Sequence, residues 1–362
     1  MSRRLVSLFA ESYHERKEVI RLKMVKRVHI FLLATALLTA GCASKWAMEI
    51  QHPTSRIQWP PAPNEARVQQ VMTIRGFKET GTSLKTIVFG RGAEKIAQPI
   101  AVATGRDGRI AIASADCQCV HLYVPSEERH QKLSSADKEM FISPVGLAFD
   151  EELRLYIADS GSGKLFSFDS RGQYLSSFGN VDGTVFQRPT GLAYNTAGRL
   201  LYVVDTVAQK IYAIDKQGKT VFSFGERGKE KGQFNFPTHI FWSPAGRIYV
   251  TDALNFRIQI FDSLGNFVAA FGHHGVGSGD FAMPKGVVAD RDGVIFIVDS
   301  LFDNIQLFNE QGDFLLTVGN RGGGPAEFWL PSGMFLDEKK RLFVCDTYNQ
   351  RVQVFEIMGG NR

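Results

Sequence analysis

The sequence predicts an all-β fold, a six-bladed β-propeller of four-stranded antiparallel blades that is closed by an N-terminal strand. Three observations predict it. A proline recurs every 45 to 48 residues, a spacing typical of propeller blades. Each complete repeat contains four short apolar runs, and the last repeat ends before its fourth run. The repeats begin near Pro99, Pro144, Pro189, Pro237, Pro284 and Pro331.

The repeat from Pro284 to Gly319 displays the four strands most clearly. It reads PKGVVADRDGVIFIVDSLFDNIQLFNEQGDFLLTVG, in which Val, Ile and Phe form the apolar runs and Asp-Gly or Gln-Gly lies between them. Runs of β-branched and aromatic residues separated by such dipeptides are typical of strands joined by tight turns. Each repeat is therefore expected to form one blade.

Two more positions recur with the proline. An Asp about fifteen residues after it, replaced by Ser114 in the first repeat, can accept N–H groups of the turn that follows. An apolar residue three positions before the proline is expected to pack between neighbouring blades. A residue required in every repeat belongs to the architecture, so we assign neither position to catalysis. The two sets are Asp159, Asp205, Asp252, Asp299 and Asp346, and Ile96, Phe141, Phe186, Phe234, Phe281 and Phe328.

The last repeat carries motifs of a known family. It contains Pro331-Ser332-Gly333 and, after its second strand, the run DTYNQRV from Asp346 to Val352. These motifs resemble the NHL repeat, and the resemblance covers roughly residues 84 to 356. It implies a six-bladed propeller. Pro-x-Gly is intact in four repeats, whereas the first repeat has Ala101 and Ser114 in place of the Gly and the Asp.

Closure of the ring requires a strand from outside the sixth repeat, because that repeat ends at Phe355-Glu356. Two segments before the first repeat are candidates, Val68 to Arg75 and Lys85 to Gly90, and we favour the first. Pairing the two ends of the chain would remove an open sheet edge.

Residues 1–41 resemble a leader with a bacterial lipoprotein signal peptide. Lys26-Arg27 precede an apolar run from Ile30 to Ala40, which ends in the sequence LTAGC at Cys42. The run is too short to span a bilayer as a helix. The resemblance implies cleavage before Cys42 and lipidation of its thiol, with Met24 as an alternative start. The competing interpretation is an uncleaved amphipathic start with a chance cysteine.

Residues 42–67 are predicted to be a proline-rich tether, and residues 68–362 the propeller. Proline-rich linkers are extended and semi-rigid. In lipoproteins of Gram-negative bacteria the residue after the lipidated cysteine guides sorting between membranes. Ala43 occupies this position and, not being Asp, resembles the outer-membrane type. We therefore expect a protein of the bacterial cell envelope, anchored to the outer membrane through Cys42 and facing the periplasm.

Net charge argues against a nucleic-acid partner. Without residues 1–41 the chain has 34 basic and 34 acidic residues. Propeller faces that bind nucleic acid need a surplus of Lys and Arg. We expect no nucleic-acid partner.

Three cysteines follow Cys42, and this odd number does not suit a disulfide framework. Cys117 and Cys119 lie two residues apart, on one side of a strand if the strand extends that far. We favour a role as small packing residues, with a strained bridge or a soft-metal site as the alternatives. Cys345 lies inside an apolar run and is expected to be buried.

Candidate binding residues are expected at one mouth of the central channel, where the residues around the prolines meet the loops after each repeat Asp. His239 stands out because it replaces the glycine of Pro-x-Gly. Mixtures of aromatic and basic residues are typical of protein interfaces. The candidates are Arg188, Thr190, Thr238, His239, Asn255, Lys285, Phe302, Asp303, Ser332 and Tyr348.

The favoured function is a binding platform for a protein or peptide of the cell envelope, with no cofactor and no assigned catalytic residue. Calcium-dependent lactonases and a zinc-dependent lyase share this type of ring, so the alternative is a metal-dependent lactonase or lyase at the channel mouth. A catalytic zinc ion commonly takes three protein ligands. His239 is the one histidine expected there, and Asp303 the one carboxylate available for calcium.

Overall fold

The computed structural model describes residues 44–61, 63–81, 86, 90–181 and 184–358, and the chain divides into two compact units. One unit comprises residues 1–45 and 80–91, in which the Thr80 N–H donates to the Lys45 carbonyl oxygen at 2.8 Å. The other comprises residues 46–79 and 92–362 and contains the blades. The predicted signal peptide and Cys42 lie outside the described residues. No helix in the described ranges is long and apolar enough to cross a membrane.

Four strands precede the repeats: β1 (Trp46–Gln51), β2 (Gln58–Trp59), β3 (Val68–Glu79) and β4 (Ala93–Lys95). Blade 1 contains β5 (Pro99–Thr104), β6 (Ile110–Ser114), β7 (Cys119–Val124) and β8 (Arg129–Leu133). A small hairpin, β9 (Ser135–Ala136) and β10 (Glu139–Met140), leads to blade 2. Blade 2 contains β11 (Pro144–Phe149), β12 (Leu155–Asp159), β13 (Lys164–Phe168) and β14 (Tyr174–Phe178).

A second hairpin, β15 (Asn180–Val181) and β16 (Thr184–Val185), leads to blade 3. Blade 3 contains β17 (Pro189–Asn195), β18 (Leu200–Asp205), β19 (Lys210–Ile214) and β20 (Thr220–Phe224). Blade 4 contains β21 (Pro237–Ser243), β22 (Arg247–Asp252), β23 (Arg257–Asp262) and β24 (Phe267–Phe271). Blade 5 contains β25 (Pro284–Ala289), β26 (Ile295–Asp299), β27 (Asn304–Phe308) and β28 (Phe314–Val318). The last strands are β29 (Met334–Leu336), β30 (Arg341–Asp346) and β31 (Arg351–Ile357). Two 3-10 turns cover Pro125–Glu127 and Ala253–Asn255.

The predicted propeller of antiparallel blades is confirmed. Blades 1 to 5 are four-stranded sheets whose strands pair in sequence order, and the first strand of each blade contacts the first strand of the next around the channel. The second strands are buried on both sides, as in β26 (IFIVD), whereas the outermost strands alternate between half-buried and exposed residues, as in β24 (FVAAF). The second strand lies inside the blade and is covered on both faces, whereas the outermost strand has one face in solvent.

The N-terminal strand predicted to close the ring does so. β3 pairs antiparallel with β31, with Val68 opposite Ile357 and Ile74 opposite Val352. The sixth blade is therefore β29, β30, β31 and β3, within a larger sheet that β1, β2 and β4 also join. Most of the competing segment, 85–90, lies outside the described residues.

The prediction of an extended tether over residues 42–67 is wrong for its strand-forming part. β1 pairs with β3, placing Trp46 opposite Glu79, and β2 pairs with β3 at Gln58–Gln69. Apolar Trp46, Met48 and Ile50 alternate with other residues along β1, and the first two pack against buried residues of blades 6 and 1. The segment can form a strand despite the nearby prolines, because those prolines lie outside β1.

The core consists of six clusters, each between two consecutive blades. The apolar residues that precede each proline are buried, as predicted. Phe234, for example, lies 5.7 Å from the Phe261 ring, in a cluster that joins Val204 of blade 3 to Ile240 of blade 4. Six such interfaces make a closed ring.

The repeat Asp residues are structural, and they bind more backbone than the sequence suggests. The Asp159 carboxylate accepts the N–H groups of Ile142 and Ser143, both at 2.8 Å, in addition to that of Gly161 in the following turn. It therefore joins the end of the second strand to the connector before the first strand. Asp205 and Asp299 make the same bonds in blades 3 and 5.

Candidate functional site

The predicted candidates lie on one face of the ring, which we call the mouth face. There the first strand of each blade begins and the second ends, as the pairing of Pro237 with Asp252 and of Pro284 with Asp299 shows. The loop after each second strand contacts the connector before the first strand of the same blade; the Tyr348 N–H donates to the Trp329 carbonyl oxygen at 3.2 Å. The candidates come from four consecutive blades, 3 to 6.

A ring of hydroxyl groups joins the blades at the mouth. Thr190 Oγ1 donates to the Thr238 carbonyl oxygen of the next blade at 3.1 Å, and Ser332 Oγ lies 2.8 Å from Thr347 Oγ1. Thr347 Oγ1 also donates to the Pro99 carbonyl oxygen at 2.8 Å. The hydroxyl groups of Thr190 and Ser332 are therefore engaged in hydrogen bonds that stabilise the ring.

Lys285 is the one charged residue among the six that directly follow a repeat proline. Its side chain is half-buried on the first strand of blade 5. Burial lowers the pKa of Lys285, and the Arg188 guanidinium lowers it further. In the described ranges neither the Lys285 ammonium nor the Arg188 guanidinium has a carboxylate within ion-pair distance. Two like charges therefore act on each other at this point of the mouth.

His239 lies close enough to Lys285 to feel the charge of its ammonium group. At the equivalent position in four other blades only glycine fits: a Cβ at Gly191 would lie 2.8 Å from the Thr238 carbonyl oxygen. The His239 Nδ1 lies 3.1 Å from Thr238 Oγ1. Burial, and then the charge of Lys285, lower the pKa of His239 to about 3, so the imidazole is neutral at pH 7.

Two of the predicted binding residues are committed to the fold. Asn255 donates to Asp252 at 2.8 Å and to the Gly228 carbonyl oxygen at 2.9 Å. Asp303 is buried and accepts the Leu330 N–H at 2.6 Å. Bonds to residues 27 positions away therefore give Asn255 Nδ2 and Asp303 Oδ1 a structural role, and contact of these two side chains with a ligand stays a prediction.

Exposed apolar side chains surround the mouth, and we call them the apolar collar. Trp329 and Tyr348 are 44% and 49% exposed, and their ring centroids are 5.5 Å apart. Phe302, predicted from sequence to belong here, is half-buried. Sequence reasoning missed Trp329, although its place between a buried Phe and the repeat proline could have identified it. The collar consists of Ile142, Val207, Phe236, Leu254, Leu301, Trp329 and Tyr348.

The mouth brings together few metal-ligating groups. Among the described residues, the one group of three His, Cys, Asp or Glu side chains with converging ligand atoms is in blade 1, away from His239. The mouth therefore offers exposed apolar side chains, two cations, of which Arg188 is exposed and Lys285 half-buried, and a neutral imidazole. Such a surface is suited to binding an apolar segment that carries a negative charge.

Comparisons with known proteins support the fold. Residues 285–361 match a family described as DUF5128: 6-bladed beta-propeller. No curated protein is significantly similar in sequence. A catalytically inactive virginiamycin B lyase from Staphylococcus aureus with quinupristin is structurally similar, with a TM-score of 0.54 and 11% identity over 73% of this chain and 96% of that one.

Two further solved structures are similar to this chain. A streptogramin B lyase has a TM-score of 0.53 and 11% identity over 72% of this chain and 94% of that one. Hydrazine synthase of Kuenenia stuttgartiensis has a TM-score of 0.53 and 15% identity over 72% and 77% of the two chains. At these identities the likeness shows a shared propeller fold and does not transfer an activity.

Proposed function

We propose that this chain is a lipid-anchored protein of the bacterial cell envelope whose mouth face binds an acidic segment of another envelope protein. The observation that carries the proposal is the apolar collar around Arg188 and Lys285, two cations without a carboxylate partner in the described ranges. Tryptophan, tyrosine and arginine side chains are enriched in binding hot spots. An acidic residue of the partner would complement the cations.

The distribution of exposed apolar residues supports the choice of face. Seven of the sixteen large apolar side chains that are exposed in the described ranges belong to the collar. Four others, Leu175, Val221, Val268 and Leu315, occupy the same outward position of successive outermost strands and are isolated from one another. Clustered apolar surface marks an interaction site more strongly than scattered residues do.

The anchoring part of the proposal rests on the sequence around Cys42. Replacing Cys42 with Ser should release the protein from the membrane fraction and abolish incorporation of labelled fatty acid. Retention of the Cys42→Ser protein in the membrane at high salt would contradict lipid anchoring.

The binding part is tested by placing a photo-crosslinking amino acid at Leu301 on the collar and, as a matched control, at Val221 on an outermost strand. We expect a discrete crosslinked partner from position 301 only, with the crosslink mapping next to acidic residues of the partner. The double change Arg188→Gln, Lys285→Gln should reduce that crosslink at least tenfold, and added salt should weaken it. Equal crosslinking from both positions, or no effect of the double change, would overturn the proposal.

The alternative, a metal-dependent lactonase or lyase at the mouth, has less support. It needs several metal ligands around His239, and in the described ranges that residue is next to Lys285, whose charge opposes a bound cation. Metal analysis of the purified protein, combined with His239→Gln, separates the two: a stoichiometric zinc or calcium ion lost in the variant would favour the enzyme.

A further inference from the structure

Blade 1 holds a cluster of two cysteines and two histidines that the mouth does not use. Cys117 and Cys119 form a disulfide, one of the three possibilities that the sequence left open. The Cys119 Sγ lies 3.7 Å from His121 Nε2, and His121 Nδ1 lies 3.1 Å from His130 Nε2. Cys119 and His121 are fully buried, whereas Cys117 is half-exposed in the turn before β7.

The strand geometry explains why these side chains meet. Cys119 and His121 are two residues apart on β7 and therefore point to the same side of the sheet. β8 pairs antiparallel with β7 and places His130 opposite Tyr123, two residue pairs along from the His121–Lys132 pair, so both imidazoles lie on the same side of the sheet. The Cys-x-Cys-x-His spacing therefore places these side chains together, and it occurs in blade 1, the blade that departs most from the repeat.

The three ligand atoms already converge. Cys117 Sγ, Cys119 Sγ and a ring nitrogen of His121 lie within 4.8 Å of one another. A metal ion about 2.0–2.3 Å from each N or S ligand holds the ligand atoms roughly 3.3–4 Å apart, so small side-chain movements after opening of the bridge would suffice.

The orientation of His121 is that of a ligand imidazole. Its Nε2 is directed toward the sulfur atoms and its Nδ1 toward His130, which would hold the ring in place as outer hydrogen-bonding partners of metal-bound histidines do. His130 itself is stacked on Phe77, with ring centroids 4.4 Å apart, and lies 5.0 Å from Trp46. The cluster is thereby fixed between blades 1 and 6.

The chemistry of the donors selects the metal. Two sulfur atoms and an imidazole are soft ligands, which favour Cu(I) or Zn(II) over Ca(II) or Mg(II). The two charged residues that act on His121, Glu94 and Lys132, pair with each other at 3.3 Å. Between Cu(I) and Zn(II), a set of three converging ligands favours Cu(I), because a structural Zn(II) site is almost always completed by a fourth ligand in a tetrahedron.

We propose that blade 1 is a redox-gated site for Cu(I), with Cys117, Cys119 and His121 as ligands and His130 as a positioning residue. An external dithiol supplies two electrons and two protons, the Cys117–Cys119 bond breaks, and the dithiol becomes a disulfide. Binding of Cu(I) to the two cysteines then releases their two thiol protons to solvent. The oxidised, bridged protein lacks thiolates and does not bind the ion.

The test uses the full-length protein in detergent, reduced anaerobically with dithiothreitol, freed of reductant and titrated with Cu(I) against a chromophoric chelator. We expect one Cu(I) per chain in the reduced protein, and none when the bridge is intact. Cys117→Ser and His121→Gln should each weaken binding at least 100-fold, and His130→Gln 10- to 100-fold. His273→Gln, which alters an exposed histidine in blade 4's connector, is the matched control and should bind normally.

Several results would overturn the proposal. These are the absence of Cu(I) binding by the reduced protein, equal binding by Cys117→Ser, or tighter binding of Zn(II) than of Cu(I) at the same residues. Since His121 is buried, each variant is checked by urea unfolding, and Cys117→Ser, at the half-exposed position, decides the outcome if His121→Gln is unfolded. X-ray absorption at the copper edge should show two sulfur neighbours in the wild type and one in Cys117→Ser.

Discussion

The Arg351 guanidinium donates to the Asp346 carboxylate at 2.7 Å, and both side chains are almost completely buried. Arg351 also donates to the carbonyl oxygens of Gly324 and Glu327, at 2.6 and 2.8 Å. The pair therefore ties the end of β30 to the connector in front of blade 6. Arg257 and Asp252 repeat the arrangement in blade 4, where the arginine is more exposed.

Replacing Arg351 with Ala should destabilise the fold by about 3–5 kcal/mol, because it leaves a buried carboxylate without its countercharge. The matched variant Arg257→Ala should cost less, since solvent reaches its ion pair. Urea unfolding of the two proteins measures the difference. Equal losses of unfolding free energy would show that burial of the pair does not determine its contribution.

Gly146 is required by the close approach of blades 2 and 3. A Cβ there would collide with the Thr190 carbonyl oxygen. Gly146→Ala is expected to cost about 1–3 kcal/mol of stability, through displacement of the two first strands. Gly323→Ala is the control: its Cβ would meet only Asn349 Oδ1, at 3.6 Å, and should change stability by less than about 0.5 kcal/mol. A tolerated Gly146→Ala change would contradict the tight contact.

Acid should destabilise the protein partly through His239. Its pKa is about 3 in the folded state, lowered by burial and by Lys285, and about 6.5 when unfolded. Between these values the unfolded chain binds more protons, so stability falls as pH drops from 6.5 toward 3 and is fully present above 6.5. His239→Gln should make the slope shallower by up to about 1.4 kcal/mol per pH unit, measured by urea unfolding at several pH values.

Because the pKa values of His121 and His130 are also lowered by burial, some acid sensitivity should remain in His239→Gln. His273→Gln serves as the control on an exposed histidine. An unchanged slope in His239→Gln would mean that the imidazole is solvated in the folded protein.

Cys345 should be chemically inert in the native protein. Its thiol is fully buried on β30, and burial, followed by the charge of Asp346, raises its pKa. We expect iodoacetamide to modify Cys345 at least 100-fold more slowly than in urea, while Cys117 of the reduced protein reacts readily. Mass spectrometry of the alkylated peptides gives both rates. Rapid native modification of Cys345 would indicate that blade 6 opens frequently.

The periodic part of the structure could be predicted from the sequence, because the same physical requirement recurs in every blade. The buried Phe281 and the carboxylate of Asp299 have counterparts at fixed spacing, and the spacing itself identifies the blades. The closing strand β3 could be predicted for a related reason: the sixth repeat lacked a strand, and Val68–Arg75 had a suitable pattern.

The non-periodic part was harder to predict. Asn255 and Asp303 make hydrogen bonds to residues 27 positions away, and that contact is visible only in the folded chain. β1 was not predicted, because the prolines that follow it indicated a linker although its own six residues alternate. Trp329 escaped notice because its position is occupied by unrelated residues in other repeats, so only the folded mouth face reveals that it joins Tyr348.

The pairing of β3 with β31 has a consequence for how the protein is made. Ile74 leaves the ribosome roughly 280 residues before its partner Val352. At about 5–20 residues per second, β3 waits on the order of tens of seconds with an unpaired edge, while blades 1 to 5 can form from local contacts. Completion of the ring is therefore the last folding event, and a nascent chain is most open to misassociation just before its final strand emerges.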